Sequence, residues 1–262
     1  MDLELRDRVI IVTGGSNGIG LKVVRTLVEE GARVVTCARD EARMKEALAP
    51  LMAEHGDQLL AHPCDVVEAS TVNELVDAAV QRFGTIDGLV CNAGRSRIST
   101  FATTTDDDWR DELELKFWGV LNPVRAAHAH LHDSGNGSIV VMNAILARQP
   151  EPRLVASAAA RAGLLNLTRS LATELAADGI RVNTVSLGLI ATGQWRRRFE
   201  ESGTELTWEQ WSTELAADRG VPLGRLGTTS EVAPTVAFLL SRRSSYTTGA
   251  SIDIGGGVAR YV

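Results

Sequence analysis

In "RLVASAAARAGLL", Ser157 and Arg161 stand four residues apart. On a helix that spacing puts a hydroxyl and a guanidinium on one face, where they could hold an anionic group or a developing negative charge. A second stretch, "TGGSNGIG" from Thr13 to Gly20, follows a β-branched run and opens an amphipathic one. A glycine-rich turn at that junction lets backbone N–H groups approach a phosphate at a helix N-terminus. A third, "HAHLH", puts His128 and His132 on one helical face with metal-like spacing. No third ligand accompanies them and histidines near a helix C-terminus complement its dipole, so they read as structural and no metal site is expected.

The elements that must position these groups alternate. "RVIIVTG", "RVVTCA", "QLLAHPCD" and "IDGLVCNAG" are separated by helical stretches at about 18–30, from Asp40, and at about 68–83. A helix at about 107–132 then precedes the strand "GSIVVMNA", the helix carrying Ser157 and Arg161 precedes "IRVNTVSLG", and a last helix precedes "GASIDIGGG". Such alternation predicts an α/β fold, a three-layer Rossmann-type doubly wound parallel sheet. One domain over 1–262 is expected, with an insertion at about 193–220, rich in Trp and Arg, in the position of a lid or substrate loop.

With 44% hydrophobic and 23% charged residues in 262, the chain can bury a full core. A net charge of -6 argues against a nucleic-acid or anionic-membrane partner, since both need a basic surface. The charged opening "MDLELRDRV" is unlike a signal peptide, and no apolar run is long enough to span a bilayer, so a cytoplasmic protein with a small-molecule substrate is expected. Cys37, Cys64 and Cys91 form no CxxC pair, and each falls at a strand end, as buried thiols would.

Taken together, "TGGSNGIG", "CNAG", "CDV", "GIRVNTVSLGLIAT" and "PLGRLGTTSEVAPTVAFLLS" resemble the short-chain dehydrogenase/reductase family over nearly the whole chain. The resemblance implies a dinucleotide site built from Gly14, Ser16, Asn17, Gly18, Ile19 and Gly20, with Asp65 and Val66 at the adenine and Asn92, Ala93 and Gly94 beneath the cofactor. It also implies that Gly188, Ile190 and Thr192 hold the nicotinamide amide, and that Arg161 keeps a ribose contact. Two positions depart from the pattern: Leu187 replaces a proline, and Gly255 replaces an aspartate of the C-terminal loop. At the end of the second strand Ala38 takes the acidic position and Arg39 follows, which favours the 2′-phosphate of NADP(H), with NAD(H) as the alternative. The family also implies a homodimer or homotetramer through the two long helices and the C-terminal segment.

Members of this family reduce carbonyls with a tyrosine, a lysine, a serine and an asparagine. Here those positions fall on Ser157, Arg161, Ala144 (beside Asn143) and Lys116. No shift of register restores them, because the tyrosines are Tyr246 and Tyr261 and the lysines are Lys22, Lys45 and Lys116. An aliphatic hydroxyl is too weak an acid to replace a phenol, and losing a positioned acid costs about 10² to 10⁴ in rate. The usual route is therefore closed. Lys116, Ser157 and Arg161 are the candidate catalytic groups of a rewired site, in which Arg161 would lower the pKa of Lys116. In the bland alternative Lys116 is partly exposed and Arg161 serves only the ribose. At the level of function a divergent oxidoreductase on a small carbonyl or alcohol stands against a dinucleotide-binding pseudoenzyme, a sensor or assembly partner, and against a non-redox lyase or isomerase.

Overall fold

The structure, a computed structural model, describes residues 2–261. Seven parallel strands lie in the order β3-β2-β1-β4-β5-β6-β7. They are β1 (Val9–Thr13), β2 (Arg33–Ala38), β3 (Leu59–Pro63), β4 (Gly88–Cys91), β5 (Ser138–Ala144), β6 (Arg181–Leu187) and β7 (Ser251–Ile254). Their β-branched runs are buried on both faces, as a parallel sheet covered by helices requires.

Alternate residues of each strand feed opposite layers. Ile10, Val12 and Val34 pack toward α1 (Gly18–Glu29), α2 (Glu41–His55) and α8 (Thr229–Leu240). Ile11, Val35, Leu89 and Ile139 pack toward α3 (Ala69–Phe83), α4 (Asp106–Asp133) and α5 (Val155–Glu174). Two further helices, α6 (Gly193–Glu201) and α7 (Trp208–Asp218), form the insertion between β6 and α8.

The strand order reverses direction at β1 and β4, which pair in register from Ile10 opposite Gly88 to Val12 opposite Val90. Beyond the C-terminal ends of such a pair the two sets of connections part and leave a crevice. That crevice opens into a cleft of about 1220 Å³, lined from Gly14 and Arg39 at one end to Trp195 and Arg219 at the other.

Candidate active site

The first strand-to-helix turn is shaped by close approach. A Cβ on Gly20 would lie 2.2 Å from the Gly14 carbonyl oxygen, and one on Gly14 would lie 2.9 Å from Ala93 Cα. Asn92 ties the turn down, donating through Nδ2 to the carbonyls of Thr13 (3.0 Å) and Gly14 (3.1 Å). Thr13 Oγ1 in turn accepts from the backbone N–H of Asn92 and of Ala93, each at 3.0 Å. At the start of α1, Gly18 has φ 54°, no side chain caps the helix, and no acidic residue stands in the first turn. The uncapped N–H groups and positive helix end therefore face the cleft and fit a pyrophosphate.

Around this cradle lie the other expected contacts. Ser16, Asn17, Ile19, Asp65, Val66, Gly94, Gly188, Ile190 and Thr192 all line the cleft. The turn after β6 is stapled by Ala191 donating to the Gly227 carbonyl (2.7 Å) and Gly227 donating to the Leu189 carbonyl (2.9 Å). Gly188 lies so close to Gly255 that a Cβ on it would sit 2.8 Å from Gly255 Cα, and a Cβ on Gly255 would meet Ile145 at 2.4 Å. A glycine at 255 is thus what this packing accepts. Arg39 is exposed, lines the cleft, and holds a guanidinium nitrogen 3.9 Å from the Asp65 carboxylate. Asp40 is engaged elsewhere, capping α2 by accepting from the Arg43 N–H at 3.0 Å. The three cysteines are buried and free; burial pushes Cys91 up to about 12, and Cys37 is pushed well up by its neighbour Cys64 and by burial.

Deeper in the cleft, Lys116 on α4 is 4% exposed, which overturns the partly exposed reading. Its Nζ donates to the Arg95 carbonyl at 2.7 Å and lies 3.4 Å from the carboxylate of Glu112, one turn earlier. Glu112 is itself 1% exposed and accepts a short hydrogen bond from Ser157. Arg161, one turn after Ser157, reaches Ser96 Oγ (3.3 Å) and Asn143 Oδ1 (3.5 Å), while its buried Nε has no protein partner.

Two of the three candidate catalytic residues, Lys116 and Arg161, line the cleft. Ser157 does not: fully enclosed, it sits behind them and turns toward Glu112. The expectation that it lines the pocket is corrected by this carboxylate, which draws the short hydroxyl inward. The Lys116 ammonium is pulled down from 10.5 to about 8, by burial first and Arg161 second, with Glu112 opposing both. Glu112 itself carries no chemistry in the sequence reading. Its signal was present in "ELELK", as the four-residue step to Lys116, but a Glu–Lys pair at that step ordinarily marks a solvated helix face.

Comparison with known proteins decides the lineage. The family described as enoyl-(acyl carrier protein) reductase, one branch of the short-chain dehydrogenases/reductases, matches residues 14–259. A 3-oxoacyl-[acyl-carrier-protein] reductase of Chlamydia muridarum is 32% identical, covering 99% of this chain and 100% of that one. The chain belongs to the short-chain dehydrogenase/reductase family. An uncharacterized oxidoreductase of Mycobacterium bovis is 36% identical, with 97% of each chain covered. Among solved structures, an NADPH-bound short chain oxidoreductase of Pseudomonas aeruginosa, described as containing an atypical catalytic center, is 47% identical with a TM-score of 0.93 over 98% of each chain.

As a short-chain dehydrogenase/reductase the protein lacks a phenol at its centre. Tyr246 lies fully exposed, and Tyr261 stacks under Arg148, whose guanidinium carbon is 4.9 Å from the ring centroid. Ala144 lines the cleft. His128 and His132 both turn to Asp178, through its carboxylate (2.8 Å) and its carbonyl (3.1 Å). No helix of the described residues is long and apolar enough to cross a membrane.

Proposed function

We propose that this member of the family is an NADP(H)-dependent oxidoreductase of a small carbonyl or alcohol, in which Lys116 takes the acid–base role of the absent tyrosine. One observation carries this reading: an amine buried on the cleft wall and tuned to about 8, where it can give or take a proton at working pH. When bound, the cofactor supplies or accepts the hydride. The residues do the rest. The α1 N-terminus holds the pyrophosphate, Arg39 pairs with the 2′-phosphate in preference to NAD(H), and Arg161, on the cleft wall, fixes the ribose. Of its three N–H groups, Lys116 commits one to Arg95 and one to Glu112, leaving one for the substrate oxygen. Giving up that proton leaves a neutral amine beside Glu112 and Arg161, an arrangement without two adjacent cations. Ser157 is a positioning residue that fixes the Glu112 carboxylate. The NADPH-bound Pseudomonas aeruginosa structure supports the cofactor choice.

The test is NADPH oxidation over a panel of ketones and aldehydes. Turnover that Lys116→Met abolishes while cofactor binding persists supports the reading; stoichiometric NADPH binding without turnover supports the pseudoenzyme, which the absence of a phenol and of a hydroxyl at Ala144 favours. For assembly, we infer a homodimer or homotetramer through α4 and α5, where Leu113 and Trp118 are 40% and 47% exposed. Sedimentation at micromolar concentration tests it, and a monomer overturns it.

A further inference from the structure

Helix α6 contributes Gln194, Trp195, Arg197 and Arg198 to the cleft, and its aromatic residues form one cluster with those of α7. Trp195 packs on Trp211 with ring centroids 6.3 Å apart, Phe199 lies 5.6 Å from Trp211, and Trp208 stacks on Trp211 at 5.6 Å. On this platform the Arg198 guanidinium carbon stands 4.4 Å over the Trp195 ring, and both side chains line the cleft. A planar guanidinium stacked on an indole keeps its N–H fork free in the ring plane while losing much of its rotational freedom.

Several other arginines of the cleft are already occupied. Arg219 is closed by a short contact to Glu151 and by Asp218 at 3.7 Å. Arg95 and Arg97 reach Asp111 at 3.5 and 3.9 Å. Arg197 and Arg198 both line the cleft without a carboxylate or hydrogen-bond partner among the described residues, but Arg197 is exposed, whereas Arg198 is partly buried and stacked on Trp195. Burial and nearby Arg219 both disfavour the Arg198 charge, and Glu201 only partly offsets them. A half-buried guanidinium held in place without a counter-ion, in the cleft that Lys116 and the apolar Leu146, Leu154 and Val258 also line, is a site prepared for an oxyanion.

We propose that the substrate carries a carboxylate or phosphate remote from the reacting carbon, and that Arg198, stacked on Trp195, selects it. This rests on the oxidoreductase reading for what happens at the carbonyl, but the anion site can be read by binding alone.

The experiment titrates NADPH-loaded protein by calorimetry with methyl-ketone acids of one to five methylenes, with their methyl esters, and with dihydroxyacetone and its phosphate. At least one acid or the phosphate should bind about 10-fold or more tighter than its neutral counterpart, as a charge-assisted bidentate contact gives. The larger preference assigns carboxylate or phosphate. Arg198→Met should collapse that preference, Arg198→Lys should keep only part of it, and Arg196→Met, on the neighbouring Trp208 ring, should retain it; circular dichroism confirms that each variant is folded. Equal binding of charged and neutral partners, or a preference that survives in Arg198→Met, overturns the proposal. Anion-selective binding without turnover in any of these compounds would keep the anion site and count against the redox reading alone.

Discussion

Lys116 Nζ lies 3.4 Å from the carboxylate of Glu112, one turn earlier on α4, and neither side chain is more than 4% exposed. A surface pair at that spacing would be worth little. Enclosed, the two charges depend on each other, since removing one partner of a buried pair leaves the other uncompensated at a cost of about 3–5 kcal/mol. Glu112→Gln, which strands the buried ammonium, should therefore lower unfolding stability near neutral pH by up to about that amount, and adding Lys116→Met should recover most of it. Urea unfolding of the wild type, the single variant and the pair checks this; a fully destabilised double variant would show that the two side chains do not act as a pair.

The same amine sets a pH dependence. Reduction needs the Lys116 ammonium, so kcat/KM for a ketone should fall tenfold per pH unit above about 8. Alcohol oxidation needs the amine and should rise through the same value. Glu112 holds the proton on and Arg161 pushes it off, so Glu112→Gln should move the midpoint down and Arg161→Met should move it up. pH profiles unmoved by both substitutions would place the titrating group elsewhere.

Stability carries a matching signature. The folded Lys116 titrates at about 8 against 10.5 for the ordinary side chain, so between those values the unfolded chain holds a proton that the folded chain has released. Stability then rises with pH across that window, and this contribution is lost as pH falls through about 8. At about 1.4 kcal/mol per unit the whole effect is on the order of 3 kcal/mol. Measured at pH 7.5 and pH 10, wild type should gain on Lys116→Met by most of that difference.

Much of this architecture is legible in the chain. The β-branched runs and "TGGSNGIG" specify the sheet and the cradle because their physics is local: strand burial on two faces, and a turn too tight for side chains. The centre is legible only as four changed positions. Glu112 hides because "ELELK" has the pattern of a solvated helix face, and its burial arises from α4 packing on α5, where Ser157 meets it. Ser157 is misplaced for the same reason, since helical spacing puts it on the face of Arg161 but not at the same depth. Arg198 is visible as one of three arginines in "WRRRF"; which of them is half-buried in the cleft against Trp195 depends on the fold of α6.

Two cofactor-loop glycines should separate in their effects. Gly18 is left-handed but open, with its nearest neighbour, Thr192 Cγ2, 3.7 Å from a built Cβ, so Gly18→Ala should cost about 1 kcal/mol of strain and weaken NADPH modestly. Gly20→Ala would drive a methyl to 2.2 Å from the Gly14 carbonyl oxygen and 2.5 Å from Asn92 Nδ2, breaking the tie between β1 and β4. Fluorescence titration should find NADPH binding abolished in the second and retained in the first.

Rebuilding the family's chemistry gives the last prediction. Lys116→Asn, Ala144→Ser, Ser157→Tyr and Arg161→Lys together restore the four usual groups, yet they should not create a ketone reductase. Lys116→Asn strips Glu112 of its counter-charge, and a tyrosine at the fully enclosed position 157 enters the space where Glu112 now accepts the serine proton. An unpaired buried carboxylate against an overpacked ring should leave the protein unstable or hold the phenol away from the cleft. Adding Glu112→Leu removes the charge at similar volume. The five-fold variant should bind NADPH, melt cooperatively and reduce simple ketones, whereas the four-fold variant should do so at least about 10²-fold more slowly, the low end of what a positioned general acid contributes. Equal activity in the two would show that Glu112 is no obstacle to the phenol, and that the change at the centre is confined to the four positions themselves.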